Sequence, residues 1–142
     1  MSGELTAEAL MAKAVRASES ARALLDLDDV DGACNRAYYA NFDAARAALL
    51  AAGSHVPSDL GKTHAGLIAT FGLHLVKNGP ISKELGRLLK RAEEVRLVAD
   101  YKGDSVEFED ASEMVKQSAI FVDAMRTGFM LPKSDEGCET KS

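Results

Sequence analysis

At 142 residues the chain has room for one domain that buries its own core. A formal net charge of −5 and a pI near 5.2 exclude a global basic footprint, so any nucleic-acid partner has to be held by a local patch. Two isolated cysteines, Cys34 and Cys138, exclude a disulfide framework and the C-x-x-C spacing of a metal site. Proline is scarce and β-branched residues never form an alternating run, while alanine, leucine, lysine, arginine and glutamate are abundant, which points to an all-α protein. No apolar run has the length of a membrane span and no signal-peptide pattern is present. The expectation is a cytoplasmic protein with reduced thiols, no membrane contact, no metal and no cofactor.

Thr6 is placed to cap a first helix running to about Leu25, with Leu10, Ala14, Ala17, Ala21 and Leu24 or Leu25 as its buried stripe. Small residues along that stripe favour close helix–helix approach. A turn at residues 26–29 follows, and Asp28 or Asp29 can cap the second helix, which should run to Ala52 and stop at Gly53. In this helix Tyr38, Phe42, Ala45 and Leu49 make an apolar stripe. Arg36 and Asp43 stand two turns apart on a different face, with Tyr39 and Ala40 between them. Tyr38 and Tyr39 point about 100° apart, so one belongs to the core and one to the polar face.

Residues 54–61 form the main loop, and a third helix opens near Lys62 or Thr63, carrying Leu67, Ile68, Phe71, Leu75 and Val76. Asn78-Gly79-Pro80 ends it. Ser82 caps a fourth helix with Leu85, Leu88, Leu89, Ala92, Val95 and Ala99 inward and a charged outer face. A fifth helix follows residues 107–110, capped by Asp110 or Ser112, with Met114, Ala119 or Ile120, Val122 and Met125 as contacts. Residues 132–142 are polar and aperiodic, a disordered tail beyond a domain of residues 1–131. Five amphipathic segments with mostly short connections give an antiparallel up-and-down four-helix bundle with an additional C-terminal helix.

Three blocks carry a family resemblance: Arg36-x-Tyr38-Tyr39-Ala40-x-Phe42, then Lys62-Thr63-His64-x-Gly66-Leu67, then Arg96-x-x-Ala99-Asp100-Tyr101. Across about residues 8–127 the chain resembles the HEPN superfamily, in particular the small stand-alone branch encoded beside minimal nucleotidyltransferases. The resemblance implies a helical bundle, a homodimer formed across the Arg36/Asp43 face, a nucleotidyltransferase antitoxin as partner, and RNA as substrate. It implies a toxin-like, metal-independent endoribonuclease lineage in which a 2′-hydroxyl attacks the adjacent phosphate, an arginine stabilises the developing charge and a histidine moves the proton. Arg36 falls on the motif arginine. The histidine position falls on Asp43, a departure from the pattern, because a carboxylate repels phosphate and its ordinary pKa of about 3.9 makes it a weak base at neutral pH.

Two function classes therefore stand side by side. In one the chain is an endoribonuclease with Arg36 on the phosphate and Asp43 or His64 replacing the missing histidine. In the other it is a catalytically silent module that binds the nucleotidyltransferase, RNA or a nucleotide, and the Arg36/Asp43 pair closes a twofold interface. Tyr39 can stack on a base or pack at the rim. Lys62, Thr63 and His64 at a helix start can hold an anion, or Thr63 can cap while His64 packs. The resemblance also marks Tyr101 as a candidate modification position, against its reading as a helix-terminal tyrosine. Arg87, Lys90, Arg91 and Arg96 interleave with Glu84, Glu93 and Glu94 as a solvated face, and Arg96 and Asp100 pair at i, i+4.

Overall fold

The computed structural model describes residues 6–53, 64–77, 79–101 and 107–129, with side chains except at 64–65 and 96–101. These residues form five α-helices and no strand: α1 (Ala7–Asp26), α2 (Val30–Ala51), α3 (His64–Phe71), α4 (Lys83–Tyr101) and α5 (Phe108–Phe129). The all-α expectation holds, although the third helix differs from its expected form. It passes at Gly72–Lys77 into a π-helical turn before ending. The wider turn still buries Phe71 and Leu75, and the Ile81 N–H donates to the Leu75 carbonyl at 2.8 Å to close the end. Gly79 is required beside it, since a Cβ there would come within 2.6 Å of the His74 carbonyl oxygen.

Capping chemistry sets the α1–α2 corner. The Thr6 hydroxyl accepts from the Ala9 N–H, and α1 buries Leu10, Met11, Ala14, Ala17, Ala21 and Leu25. Asp28 then adopts φ +69°. Its N–H donates to the Leu25 carbonyl and that of Asp29 to the Leu24 carbonyl, a Schellman closure with aspartate in the place glycine usually holds. The next residue, Asp29, accepts from the Gly32 N–H and starts α2. Two helices thus reverse within three residues. At the far end Ala52 caps α2 and Gly53 takes φ +79°, the left-handed conformation glycine adopts without strain.

The centre of the fold is α2, which packs against α1 most extensively and also against α3, α4 and α5. Alanines at 14, 17 and 21 of α1 and at 37, 40, 44 and 48 of α2 are all buried, and their small size lets helices approach closely. Tyr38, Phe42, Ala45 and Leu49 are core residues as the periodicity requires. On α5 the buried set is Ala111, Met114, Val115, Ser118, Phe121, Val122 and Met125. Ala119 and Ile120 face outward, contrary to expectation, because the stripe turns through Ser118 and Phe121 instead. Ser118 could be missed as a polar residue; its buried hydroxyl donates to the Ala37 carbonyl at 3.0 Å and ties α5 to α2. The Phe121 ring meets Phe71 at 5.7 Å. Neither Asp110 nor Ser112 caps α5: both lie inside it, and Glu107 precedes the first turn, its carbonyl accepting from the Ala111 N–H. Ser82 caps α4 as expected, accepting from the Leu85 N–H at 3.3 Å. The expected tail lies outside the described residues.

Candidate functional site

Arg36, Tyr39, Asp43 and Arg46 lie along the strip of α2 that faces an open concavity against α1. Tyr38 is fully buried while Tyr39 is half-buried, so Tyr39 is the tyrosine of the polar face. The Arg36 guanidinium lies over the Tyr39 ring at 5.5 Å, and that of Arg46 over the Phe42 ring at 5.7 Å. Tyr39 and Phe42 meet edge to face, 6.3 Å apart and 76° inclined. Two aromatic rings therefore hold two guanidinium groups in place, one on each side of Asp43, an arrangement that orients planar donors for phosphate oxygens.

Helix α1 supplies the opposite wall. Lys13, Arg16, Ala17 and Ser20 face the α2 strip across an open concavity of about 510 Å³ that also includes Arg36, Tyr39, Phe42, Asp43 and Arg46. Four cations and one carboxylate share this space, in a chain whose net charge is negative. The concavity is a local basic patch on an acidic protein. Reasoning from the sequence missed Lys13 and Arg16. Their signal was the spacing of two cations three apart, flanking the alanine stripe on its α2 side.

Asp43 is 9 % exposed. Its carboxylate meets the Arg46 guanidinium at 3.9 Å, an i, i+3 pair, whereas Arg36 lies too far along the helix for a direct bridge. Burial pushes the Asp43 carboxyl above the ordinary aspartate range, opposed by Lys13, Arg46 and Arg36. Desolvation outweighs three neighbouring cations, so the carboxylate binds its proton more tightly than in water.

The other sequence candidates gather elsewhere or lie outside the described residues. Lys62, Thr63 and His55 are outside them. His64 begins α3, which packs on α2, but only its backbone is described. Tyr101 is the last residue of α4, again with backbone alone, as are Arg96 and Asp100. Arg87, Lys90 and Arg91 are exposed. Among the described residues, no group of three histidine, cysteine or acidic side chains is placed to hold a metal ion. None of the described helices is long and apolar enough to cross a membrane.

A bundle centred on an alanine-rich helix with an arginine–tyrosine–phenylalanine face agrees with comparison to known families. The HEPN domain matches residues 7–127. The chain belongs to the HEPN family. This HEPN chain is 37 % identical over 115 residues to the UPF0332 protein glr0978 of Gloeobacter violaceus, covering 80 % of this chain and 87 % of the relative. It is 36 % identical over 109 residues to a UPF0332 protein of Thermotoga maritima, covering 75 % and 78 %. A protein of Methanocaldococcus jannaschii named "Putative toxin MJ0605" is 36 % identical over 91 residues, 64 % of each chain. The HEPN match contains all of α1 and α2 and therefore every residue of the basic concavity.

Proposed function

We propose that this HEPN chain is the toxin-like component of a toxin–antitoxin module and that the α1–α2 concavity binds RNA through its phosphates. The observation that carries the reading is the convergence of Lys13, Arg16, Arg36 and Arg46 on one concavity of an acidic protein. The relative named as a toxin supports the system-level role. The proposed chemistry is cleavage without a metal. A ribose 2′-hydroxyl attacks the adjacent phosphorus to form a 2′,3′-cyclic phosphate, its proton passes to the Asp43 carboxylate, and the P–O5′ bond breaks with the leaving 5′-oxygen taking a proton from water. Arg36 neutralises the charge that develops on the phosphate oxygens, Arg46 and Lys13 hold the flanking backbone, and Tyr39 stacks on a base. In this reading Asp43 replaces the family histidine, and its burial raises its basicity toward that task.

The Asp43–Arg46 ion pair favours a second reading, a silent module that binds RNA or a minimal nucleotidyltransferase, with Asp43 serving structure alone. A homodimer across the same face, a second copy's Arg36 approaching Asp43, belongs to both readings; Asp43→Lys should weaken it in sedimentation analysis.

The deciding experiment is cleavage of a mixed RNA substrate in EDTA by wild type, Arg36→Ala, Asp43→Asn, Asp43→His and His64→Ala. The first reading expects cleavage by wild type, lost in Arg36→Ala and Asp43→Asn. Cleavage lost only in Arg36→Ala and His64→Ala moves the proton transfer to His64. Cleavage by Asp43→His alone establishes the silent module on an intact scaffold. If no variant cuts or binds RNA, the concavity is a protein interface.

A further inference from the structure

The cations of the α1–α2 concavity are spread out rather than gathered. By the helical rise, Arg36 and Arg46 stand about 15 Å from each other along α2. Each guanidinium lies over a ring of its own, Arg36 over Tyr39 at 5.5 Å and Arg46 over Phe42 at 5.7 Å. The two rings meet edge to face and pack on the core, so each guanidinium has an anchor on its own side of Asp43. Lys13 and Arg16 stand exposed on the α1 wall opposite.

Between the two anchored groups sits Asp43, about 10 Å along the axis from Arg36 and about 5 Å from Arg46. It is the one carboxylate among the described lining residues, and it meets the Arg46 guanidinium at 3.9 Å. Lys13 acts on it from the facing helix. A compact anion drawn between Lys13 and Arg46 therefore sets its charge against this carboxylate. Coulomb repulsion grows with the product of the charges, so a dianion or polyanion meets at least about twice the repulsion of a single phosphodiester. An extended strand avoids the conflict. It rests one singly charged diester on Arg36 and another on Arg46, and turns an uncharged sugar toward Asp43.

We propose that Asp43 determines the specificity of the concavity: an extended chain of singly charged phosphodiesters is accepted, and compact polyphosphates such as pyrophosphate and nucleoside triphosphates are rejected. The inference rests on the reading of the concavity as an RNA site, and it holds whether or not the RNA is cut. Four cations around one open groove would otherwise take free polyphosphates along with RNA. A like charge placed where the competitor's charge has to sit rejects it while costing the correct strand little.

The test is displacement of a fluorescent 2′-O-methylated oligo-uridine strand from the full chain by unlabelled strand, pyrophosphate and ATP, in EDTA. Asp43→Asn, close to isosteric, should strengthen pyrophosphate and ATP about tenfold or more and the strand less than about threefold. Asp43→Glu keeps the charge and should discriminate as wild type does. Asp26→Asn removes one negative charge outside the concavity and should change neither affinity. The proposal is overturned if Asp43→Asn strengthens pyrophosphate no more than it strengthens the strand, or if Asp26→Asn does as much as Asp43→Asn, which would mean net charge alone. In either case a strand that still binds, and binds more weakly as salt rises, leaves the RNA reading standing. A strand that binds no variant overturns the RNA reading and this inference together.

Discussion

If the four cations of the α1–α2 concavity hold RNA phosphates, salt should show it quantitatively. Each phosphate neutralised on a single strand contributes about −0.7 to the slope of log affinity against log salt. Lys13, Arg16, Arg36 and Arg46 engaged together give a slope of about −2.8, a loss of about 50-fold between 50 and 200 mM salt. Removing one guanidinium by Arg46→Ala or Arg16→Ala should lower the slope by about 0.7 as well as the affinity. The assay is fluorescence anisotropy with a 2′-O-methylated single strand, which binds but cannot be cut by 2′-hydroxyl attack. A slope near zero, or one unchanged by both substitutions, refutes the concavity as a phosphate site whatever the affinity.

Three further outcomes follow from the geometry. The Asp43 carboxyl is raised by burial, so the folded state holds its proton more tightly than the unfolded state. The stability tied to this group is full below the ordinary aspartate range and is lost as pH rises through the raised value; Asp43→Asn should therefore melt above wild type at pH 7, with the gap closing as pH falls. A variant that melts lower at pH 7 would show that the Arg46 pair outweighs desolvation. Asp28→Gly relieves a left-handed aspartate at the α1–α2 corner and should raise stability by about 1 kcal/mol, read as a melting shift of roughly 3 °C. Phe121→Ala empties a fully buried site beside Phe71 and should cost about 3–5 kcal/mol in urea unfolding; a cost below about 1 kcal/mol would mean that the α2–α5 core closes over the gap.

Local rules written into neighbouring residues were legible without the structure. Thr6, Gly53 and Ser82 cap or terminate helices through hydrogen bonds or dihedrals that depend on residues a few positions away, so the sequence places them, and it narrows the α2 cap to Asp28 or Asp29, of which Asp29 is the one. The same holds for the alternation of Tyr38 and Tyr39, and for Arg36 and Asp43 sharing a strip. The α5 stripe was harder to read, because Ser118 resembles a surface residue until the Ala37 carbonyl is placed opposite its hydroxyl. The π-helical turn was equally hidden, since its cause lies partly beyond it, in Ile81 reaching back to Leu75.

The sequence by itself determined the helices, the face of α2 that carries Arg36, Tyr39 and Asp43, and the requirement that a basic patch be local. Tertiary structure decided what meets that face. Lys13 and Arg16 come from another helix, and their distance from Asp43 depends on how closely two alanine stripes pack. It also decided that Asp43 is buried enough for desolvation to outweigh three cations, a balance set by neighbours from two helices. And it left the buried Asn41 Oδ1 without a hydrogen-bond donor among the described residues, since whether a buried amide is satisfied depends on every element packed around it.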